Sequence, residues 1–271
     1  KQYYLKLVYF ADKIDVAEQR LTNSKKVLEQ VESMYNEEEV SVLVFNKAKI
    51  VWLKEQYKVK ELQTEKENVE TLLVQLNGGN PIDFSTENYE YSFQLPAFDT
   101  LWSTKVKSDP KFIGLAKQEM ISNQSLKVAK QQNLPNITAG FNSQGIAGER
   151  FSGVYAGVSI PLWNNRKKVQ RAEYQLDFQK AHQNAQISKS KAEFRKLYDS
   201  YTVKLNKYED YQQALSGLNS SELLLEAYQL GEMSFMEYYG ELQFYREAYD
   251  TMLEMRLALL ESQVQILKHE L

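Results

Sequence analysis

The sequence of 271 residues contains no cysteine. Disulfide bonds, thiolate nucleophiles and zinc sites with sulfur ligands are therefore excluded. Histidine is scarce, since only His182 and His269 occur, which disfavours a histidine-rich metal site and a histidine-based triad. The net charge of −3 provides no basic surplus for phosphate groups, so nucleic acid is not an expected partner. No phosphate-binding loop or nucleophile motif occurs, and we expect no enzyme, no catalytic or metal-binding residues and no cofactor.

The residues that break helices are concentrated in the middle of the chain. All five prolines lie between Pro81 and Pro161, and the first 77 residues contain neither proline nor glycine. Inside a helix, glycine costs about 1 kcal/mol and proline about 3 kcal/mol, so the two breaker-poor ends indicate long helices.

Both ends also carry the periodicity of a coiled coil. Apolar or small residues alternate at spacings of four and three, at Tyr3, Leu7, Phe10, Ile14, Ala17, Leu21, Ser24, Leu28, Val31 and Tyr35, and again at Leu253, Leu257, Leu260, Val264, Leu267 and Leu271. Between residues 165 and 229 only Gly217 interrupts the helical pattern. The sequence therefore predicts at least a long antiparallel helical hairpin, and a generic coiled coil remains the simple alternative.

Each helical half is interrupted once, and the two interruptions match. An offset of 193 residues aligns Tyr35 with Tyr228, Glu39 with Glu232 and Ser41 with Ser234. We interpret this as a duplicated unit of helix, turn and helix. Gly231 suits the left-handed residue that ends a helix. The acidic run 37–39 is also explained as a solvated helix N-terminus that the helix macrodipole stabilises.

A change of period between these halves predicts a β-hairpin. Ile137, Ala139 and Phe141 alternate with small or polar residues, as do Val154, Ala156, Val158 and Ile160 beyond a turn at residues 145–148. Two strands alone are marginally stable in water, so partners are expected, most simply the same hairpin in other copies. With about nine residues each, the strands can cross a bilayer when tilted. The alternative is a hairpin packed on helices of its own chain.

Several short motifs follow one another in a fixed order. Ser108-Asp109-Pro110-Lys111 precedes a helix ending at Leu134-Pro135, and the hairpin is closed by Ile160-Pro161-Leu162-Trp163. A long polar helix and Tyr228-Gln229-Leu230-Gly231 complete the series. This order resembles the outer-membrane efflux proteins of the TolC type over the whole chain. In that family Leu-Pro closes the helix before each barrel hairpin, Pro-Leu-aromatic closes the hairpin, and Tyr-x-x-Gly marks the periplasmic tip.

The resemblance implies a mainly α fold of long antiparallel coiled-coil helices with one small β-hairpin. It also implies that three copies form a helical tunnel in the periplasm and a shared barrel in the outer membrane of a Gram-negative bacterium. Such proteins are passive exit ducts for small molecules or metal cations, docked to a periplasmic adaptor (membrane fusion protein) and an inner-membrane pump. The implied partners are therefore the adaptor, the pump, outer-membrane lipid and two further copies of the chain.

The resemblance also implies which residues act at the tips. The adaptor-contacting residues are Tyr228, Leu230, Gly231, Met233 and Ser234 at one tip, and Asn36, Glu37 and Glu38 at the other. Many members carry an acidic gate residue six positions after the tip glycine, and Glu237 holds that place, with an ordinary exposed carboxylate as the alternative. Met233 stands where some members have a basic residue. The first tip departs from the pattern, since Glu38 holds the glycine position and Val44 the acidic one.

The predicted organisation has five segments. Residues 1–77 form a first-repeat helical hairpin truncated at its N-terminus, 78–110 a turn-rich connector that packs on the helices, 111–134 a helix, 135–163 the β-hairpin, and 164–271 the second-repeat long helical hairpin. The second repeat opens with a helix, the hairpin and the start of the long helix, whose first-repeat counterparts we expect to precede Lys1. The competing interpretation is a coiled-coil scaffold or adaptor without a membrane role, which has no use for bilayer-length strands.

Overall fold

The computed structural model describes residues 1–82, 92–146, 148–160, 166–216 and 220–270. This part of the chain is mainly α-helical, with long helices and one two-stranded antiparallel sheet, which confirms the predicted fold class. It forms two compact units, residues 1–95 with 197–268, and residues 96–196 with 269–271. No helix in the described ranges combines the length and the apolarity that a membrane-spanning helix requires.

The helices and strands follow the chain in a simple order. They are α1 (Gln2–Asn36), α2 (Val42–Leu76), α3 (Phe98–Ser108), α4 (Pro110–Gln131), β1 (Asn136–Ile146), β2 (Glu149–Ser159), α5 (Arg166–Ser216), α6 (Ser220–Gln229) and α7 (Phe235–Ile266), then a 3₁₀ turn at Leu267–Glu270.

In the first unit, α1 packs along α2 and also against α7. Leu7 and Val31 of the predicted seam are fully buried, whereas Tyr3 and Tyr35 near its ends are 38% exposed. The buried stripe is wider than the seam, because a helix with two neighbours must bury a broader face. The additional buried residues of α1 are Leu5, Val8 and Val27.

The connector of residues 78–110 contains a helix and is less turn-rich than predicted. Residues 98–108 form α3, in which Phe98 and Leu101 are buried. Trp102 packs edge-on against Phe112 and lies 5.9 Å from the ring of Phe194. Phe98 is followed by Leu101 and Trp102 at spacings of three and four residues, which is the pattern of one helix face, so the sequence itself indicates this helix.

The rest of the connector is described at residues 78–82 and 92–97. In the first unit the ring of Phe93 lies 5.1 Å from that of Tyr208, and its carbonyl accepts the Tyr201 hydroxyl. This segment therefore packs on a helix, while residues 83–91 lie outside the described chain.

The predicted long helix is confirmed by α5, which has 51 residues. At 1.5 Å per residue it is about 76 Å long, far beyond the ordinary helix of a globular domain. Residues 166–196 belong to the second unit and the remainder to the first. The Pro161-Leu162-Trp163 motif and Gly217 lie outside the described residues.

The β-hairpin is confirmed in the second unit. The register pairs Asn136 with Ser159 at the open end and Ile146 with Glu149 at the turn. Each strand has 11 residues, more than predicted, so the turn is tighter than the expected span of residues 145–148. Gly148 has φ 90°, a left-handed conformation that a residue without Cβ adopts freely. Ala147 lies outside the described residues.

Candidate functional site: two matching turns and an exposed hairpin

Two short turns link the helices of the first unit. The first turn (residues 36–41) joins α1 to α2, and the second turn (residues 229–234) joins α6 to α7. Each turn contains one residue with a left-handed backbone, Glu38 with φ 61° and Gly231 with φ 75°. The left-handed conformation expected for Gly231 is therefore present, and the first turn achieves it without glycine.

The backbone hydrogen bonds of the two turns are also the same. The amide N–H of Glu39 donates to the carbonyl of Met34 (2.8 Å), and that of Glu232 donates to Ala227 (2.9 Å). The left-handed residue of each turn donates to the carbonyl three residues back (3.1 Å in both). This pair of bonds is the Schellman motif, which satisfies the last carbonyl groups of a helix.

An aromatic stack spans each turn at the same offset. The rings of Tyr35 and Phe45 lie 5.2 Å apart and nearly parallel, and those of Tyr228 and Tyr238 lie 5.1 Å apart. The offset of 193 residues relates both stacks, both left-handed residues and both sets of hydrogen bonds. These correspondences support the internal duplication inferred from the sequence.

The two turns pack on one apolar cluster, which we call the turn cluster. Val40 and Met233, two residues after the left-handed position in their turns, both pack against it. Its buried members come from four helices and are Val27, Val31, Ala48, Tyr228, Phe235, Tyr238 and Leu242. The turns are therefore neighbours on a shared core.

The second turn has a capping box that the first turn lacks. The Ser234 hydroxyl accepts the amide N–H of Glu237 (3.3 Å), and the Glu237 carboxylate accepts that of Ser234 (2.8 Å). The backbone N–H of Ser234, followed by its side chain, lowers the pKa of Glu237. In the first turn Ser41 makes no such side-chain bond, and Val44, at the position of Glu237, has no acceptor to offer.

The predicted tip residues differ in exposure. Leu230 is 68% exposed, whereas Tyr228 is buried in the turn cluster and Met233 is half-buried against it. The remaining predicted tip residues are exposed: Asn36, Glu37, Glu38, Gly231 and Ser234. Glu237 is exposed too and takes part in the capping box, and its gate role stays a prediction.

A buried charge that the sequence analysis missed, that of Arg246, lies next to the turn cluster. The side chain of Arg246 is 8% exposed and donates to Glu55 of α2 (2.6 Å). Arg20 of α1 donates to Asp250 (3.0 Å) and to the carbonyl of Arg246 (3.3 Å). Burial lowers the pKa of Arg246, and the nearby Glu55 opposes that shift. The sequence did contain a signal for its burial, because Arg246 lies seven residues before Leu253 and therefore at a position of the same heptad seam.

The hairpin of the second unit leaves its apolar face uncovered by the described chain. The register places Ile137 opposite Val158 and Phe141 opposite Val154 on that face. These four side chains are 64–86% exposed. On the other face the Tyr155 ring covers Gly140, where a Cβ atom would lie 2.6 Å from the phenol oxygen. The strands thus have one apolar face and one face of small, polar and aromatic residues.

Among the described residues, no group of three or more His, Asp or Glu side chains is arranged to hold a metal ion. No protein-family model and no curated protein matches the sequence. Solved structures do match the fold. CusC, described in work on folding and transmembrane channel formation, superposes with a TM-score of 0.76 at 17% identity, over 99% of this chain and 66% of its own. The protein has the TolC-type outer-membrane channel fold.

Two further channels superpose on this chain to the same extent. The outer-membrane channel OprN matches with a TM-score of 0.72 at 16% identity, and the CmeC outer-membrane channel of Campylobacter jejuni with 0.66 at 18%. Both alignments cover 99% of this chain, and they cover 64% and 60% of the channel chains. The chain thus spans less than two thirds of these proteins. The resemblance seen in the sequence motifs is confirmed as a likeness of fold.

Proposed function

We propose that the protein is the outer-membrane exit duct of a tripartite efflux system. Three copies associate, their helices form a tunnel in the periplasm, and their hairpins join in one barrel in the outer membrane of a Gram-negative bacterium. The duct passively conducts small molecules or metal cations that an inner-membrane pump and a periplasmic adaptor deliver. The TolC-type fold supports this proposal.

The exposed hairpin is the observation that carries the proposal. Two strands alone are marginal in water, and large apolar side chains such as Val154 and Ile137 are 86% and 80% exposed. A closed barrel in lipid resolves both problems, because it pairs every strand edge and turns the apolar face toward acyl chains. The face with Gly140, Gly157 and Thr138 then borders the lumen.

We extend the proposal to the two turns as the adaptor-docking surface. The two turns share one backbone geometry and one core, so they present two surfaces of similar shape to the adaptor. Their exposed chemistry differs, because the second turn displays the apolar Leu230 with one carboxylate, Glu232, and the first displays the three carboxylates of residues 37–39. Tyr228 supports this surface from within the turn cluster.

The proposal assigns the gate to Glu237. In a trimer, three copies of this carboxylate surround the axis at one constriction, where they repel one another and attract cations. Met233 supplies no positive charge to pair with them. Closure then rests on packing by Met236 and Tyr239, and the Tyr239 ring is backed by that of Phe235, buried in the turn cluster and stacked 6.3 Å from it.

Adjacent hairpin positions provide the test of the membrane role. Because the chain has no cysteine, Ile137→Cys and Thr138→Cys each create a single labelling site, on opposite faces of one strand. In liposomes, we expect a fluorophore at position 137 to be quenched by spin-labelled acyl chains and one at position 138 by aqueous iodide. Glu65→Cys, on the exposed face of α2, is the control and should respond to iodide alone.

The same experiment separates the duct from a coiled-coil scaffold without a membrane role. A scaffold predicts that positions 137 and 138 respond equally to iodide and that neither responds to the lipid quencher. That result would overturn the proposed function.

A further inference from the structure

A cavity of about 330 Å³ lies in the first unit beside the turn cluster. Its wall is formed mainly by α1 and α7, and Tyr238 and Leu242 belong both to the wall and to the turn cluster. The volume is near the lower end of the range of small-molecule pockets, about 300–1,000 Å³. The proposed duct function assigns no role to this cavity.

Two arginines give the cavity wall its charge. Arg20 and Arg246 both line it, and their side chains are 17% and 8% exposed. None of its described lining residues is acidic, because the carboxylates of Asp250 and Glu55 that pair with these arginines lie outside the lining. A cation entering the cavity would therefore meet two guanidinium groups and no carboxylate on the wall.

The arginines retain hydrogen-bonding capacity beyond these pairs. A guanidinium has five N–H donors in a planar fork. The described bonds engage Nη1 and Nη2 of Arg20, with Asp250 and the carbonyl of Arg246, and Nη1 of Arg246 with Glu55. A carboxylate matches the geometry of such a fork and is bound through paired charge-assisted bonds.

Apart from the arginines, the wall carries two uncharged polar side chains, Gln19 and Asn23 of α1, and is otherwise apolar and aromatic. Tyr238, Tyr245 and Tyr249 of α7 supply ring surface, and Leu225 of α6 faces the same space. A ligand that fits this lining has a compact apolar or aromatic body and one anionic end.

We propose that this cavity binds a small organic anion of the aromatic carboxylate class. The carboxylate lies against Arg20 and Arg246, and the ring lies against the tyrosines of α7. The site needs residues of a single chain only, so it does not depend on the proposed duct function.

Indole-3-acetate is a suitable probe, and indole-3-acetamide is its uncharged control. The two are titrated calorimetrically into the intact protein in an uncharged detergent, with micelles alone as the blank. We expect one molecule of indole-3-acetate bound per chain and binding of the amide weaker by about tenfold or more, because the amide has no negative charge to pair with the guanidinium groups. Equal affinity for both probes, or no binding of indole-3-acetate, would overturn the proposal.

A pair of double variants locates the site. Arg20→Gln/Asp250→Asn removes the guanidinium together with its carboxylate, so it leaves no unpaired charge, and should weaken indole-3-acetate binding by about tenfold. Lys13→Gln/Glu254→Gln neutralises another ion pair between α1 and α7, outside the cavity, and should leave binding unchanged. Equal loss, or no loss, in both variants would place the anion elsewhere.

Discussion

Glu38 is the only non-glycine residue in the described chain with a left-handed backbone. A side chain with Cβ costs about 1–2 kcal/mol in this conformation, and glycine avoids most of that cost. The second turn has Gly231 at the matching place, with the same hydrogen bonds. We therefore predict that Glu38→Gly stabilises the first turn by about 1 kcal/mol, after allowing for the greater backbone entropy that glycine loses on folding.

The loss of a carboxylate is a second effect of this substitution. Glu38 lies at the C-terminal end of α1, where negative charge is unfavourable by about 0.3–1 kcal/mol, and it lies between two other glutamates. Glu39→Gly is the matched control, because it removes the same charge from a residue whose φ is not positive. We expect Glu39→Gly to leave the turn unchanged or less stable.

Hydrogen exchange of peptides that cover residues 34–45 measures this local stability directly. A gain of about 1 kcal/mol slows exchange about fivefold at the turn amides. Gly231→Ala should accelerate exchange in the second turn by a similar factor, and no atom lies within 4 Å of the added Cβ, so crowding is not the cause. Equal rates in the Glu38→Gly and Glu39→Gly variants would refute the argument from backbone conformation.

Four further predictions concern the capping box, the proposed gate residue Glu237 and the buried Arg246. Ser234→Ala should destabilise the start of α7 by about 1 kcal/mol, and Ser41→Ala, which loses no capping bond, should change exchange at its turn far less. Because the folded pKa of Glu237 is below its ordinary value of 4.5, its stabilisation is complete above pH 4.5 and is lost as pH falls through the folded value. Glu237→Gln should flatten that part of the exchange profile after correction for intrinsic rates. Glu237→Gln keeps the capping geometry and removes only the negative charge. If this charge attracts cations at the gate, the variant should show weaker block of single-channel current by periplasmic divalent cations. An unchanged block would exclude the gate role of Glu237. Arg246→Met should destabilise the fold by about 3 kcal/mol in chemical denaturation, the lower end of the range for a buried pair, because the Glu55 side chain, 13% exposed, is left unpaired, while Arg246→Met/Glu55→Leu should recover most of that loss.

The long elements were predictable because their physical signals are local. The absence of helix breakers suffices for α1 and α2, heptad seams support α1 and the C-terminal half of α7, and alternation with period two suffices for the hairpin. The left-handed conformation of Gly231 follows from the residue type, and that of Glu38 follows only from the offset of 193 residues.

The parts that escaped prediction depend on contacts between distant segments. The broad buried face of α1 exists because α7 packs beside α2, which no pattern within α1 reveals. Arg246 occupies a seam position and is tolerated there because Glu55 reaches it from α2, 191 residues away in the chain. The capping role of Glu237 was visible as a serine three residues before a glutamate, but the resemblance directed attention to its gate role.

The mass of the intact protein extracted from the outer membrane in detergent tests the proposed duct most directly. A chain that contributes only part of a shared barrel cannot complete that barrel alone. Native mass spectrometry should therefore detect three copies of the chain in one particle. A monodisperse monomer under the same conditions would contradict the account.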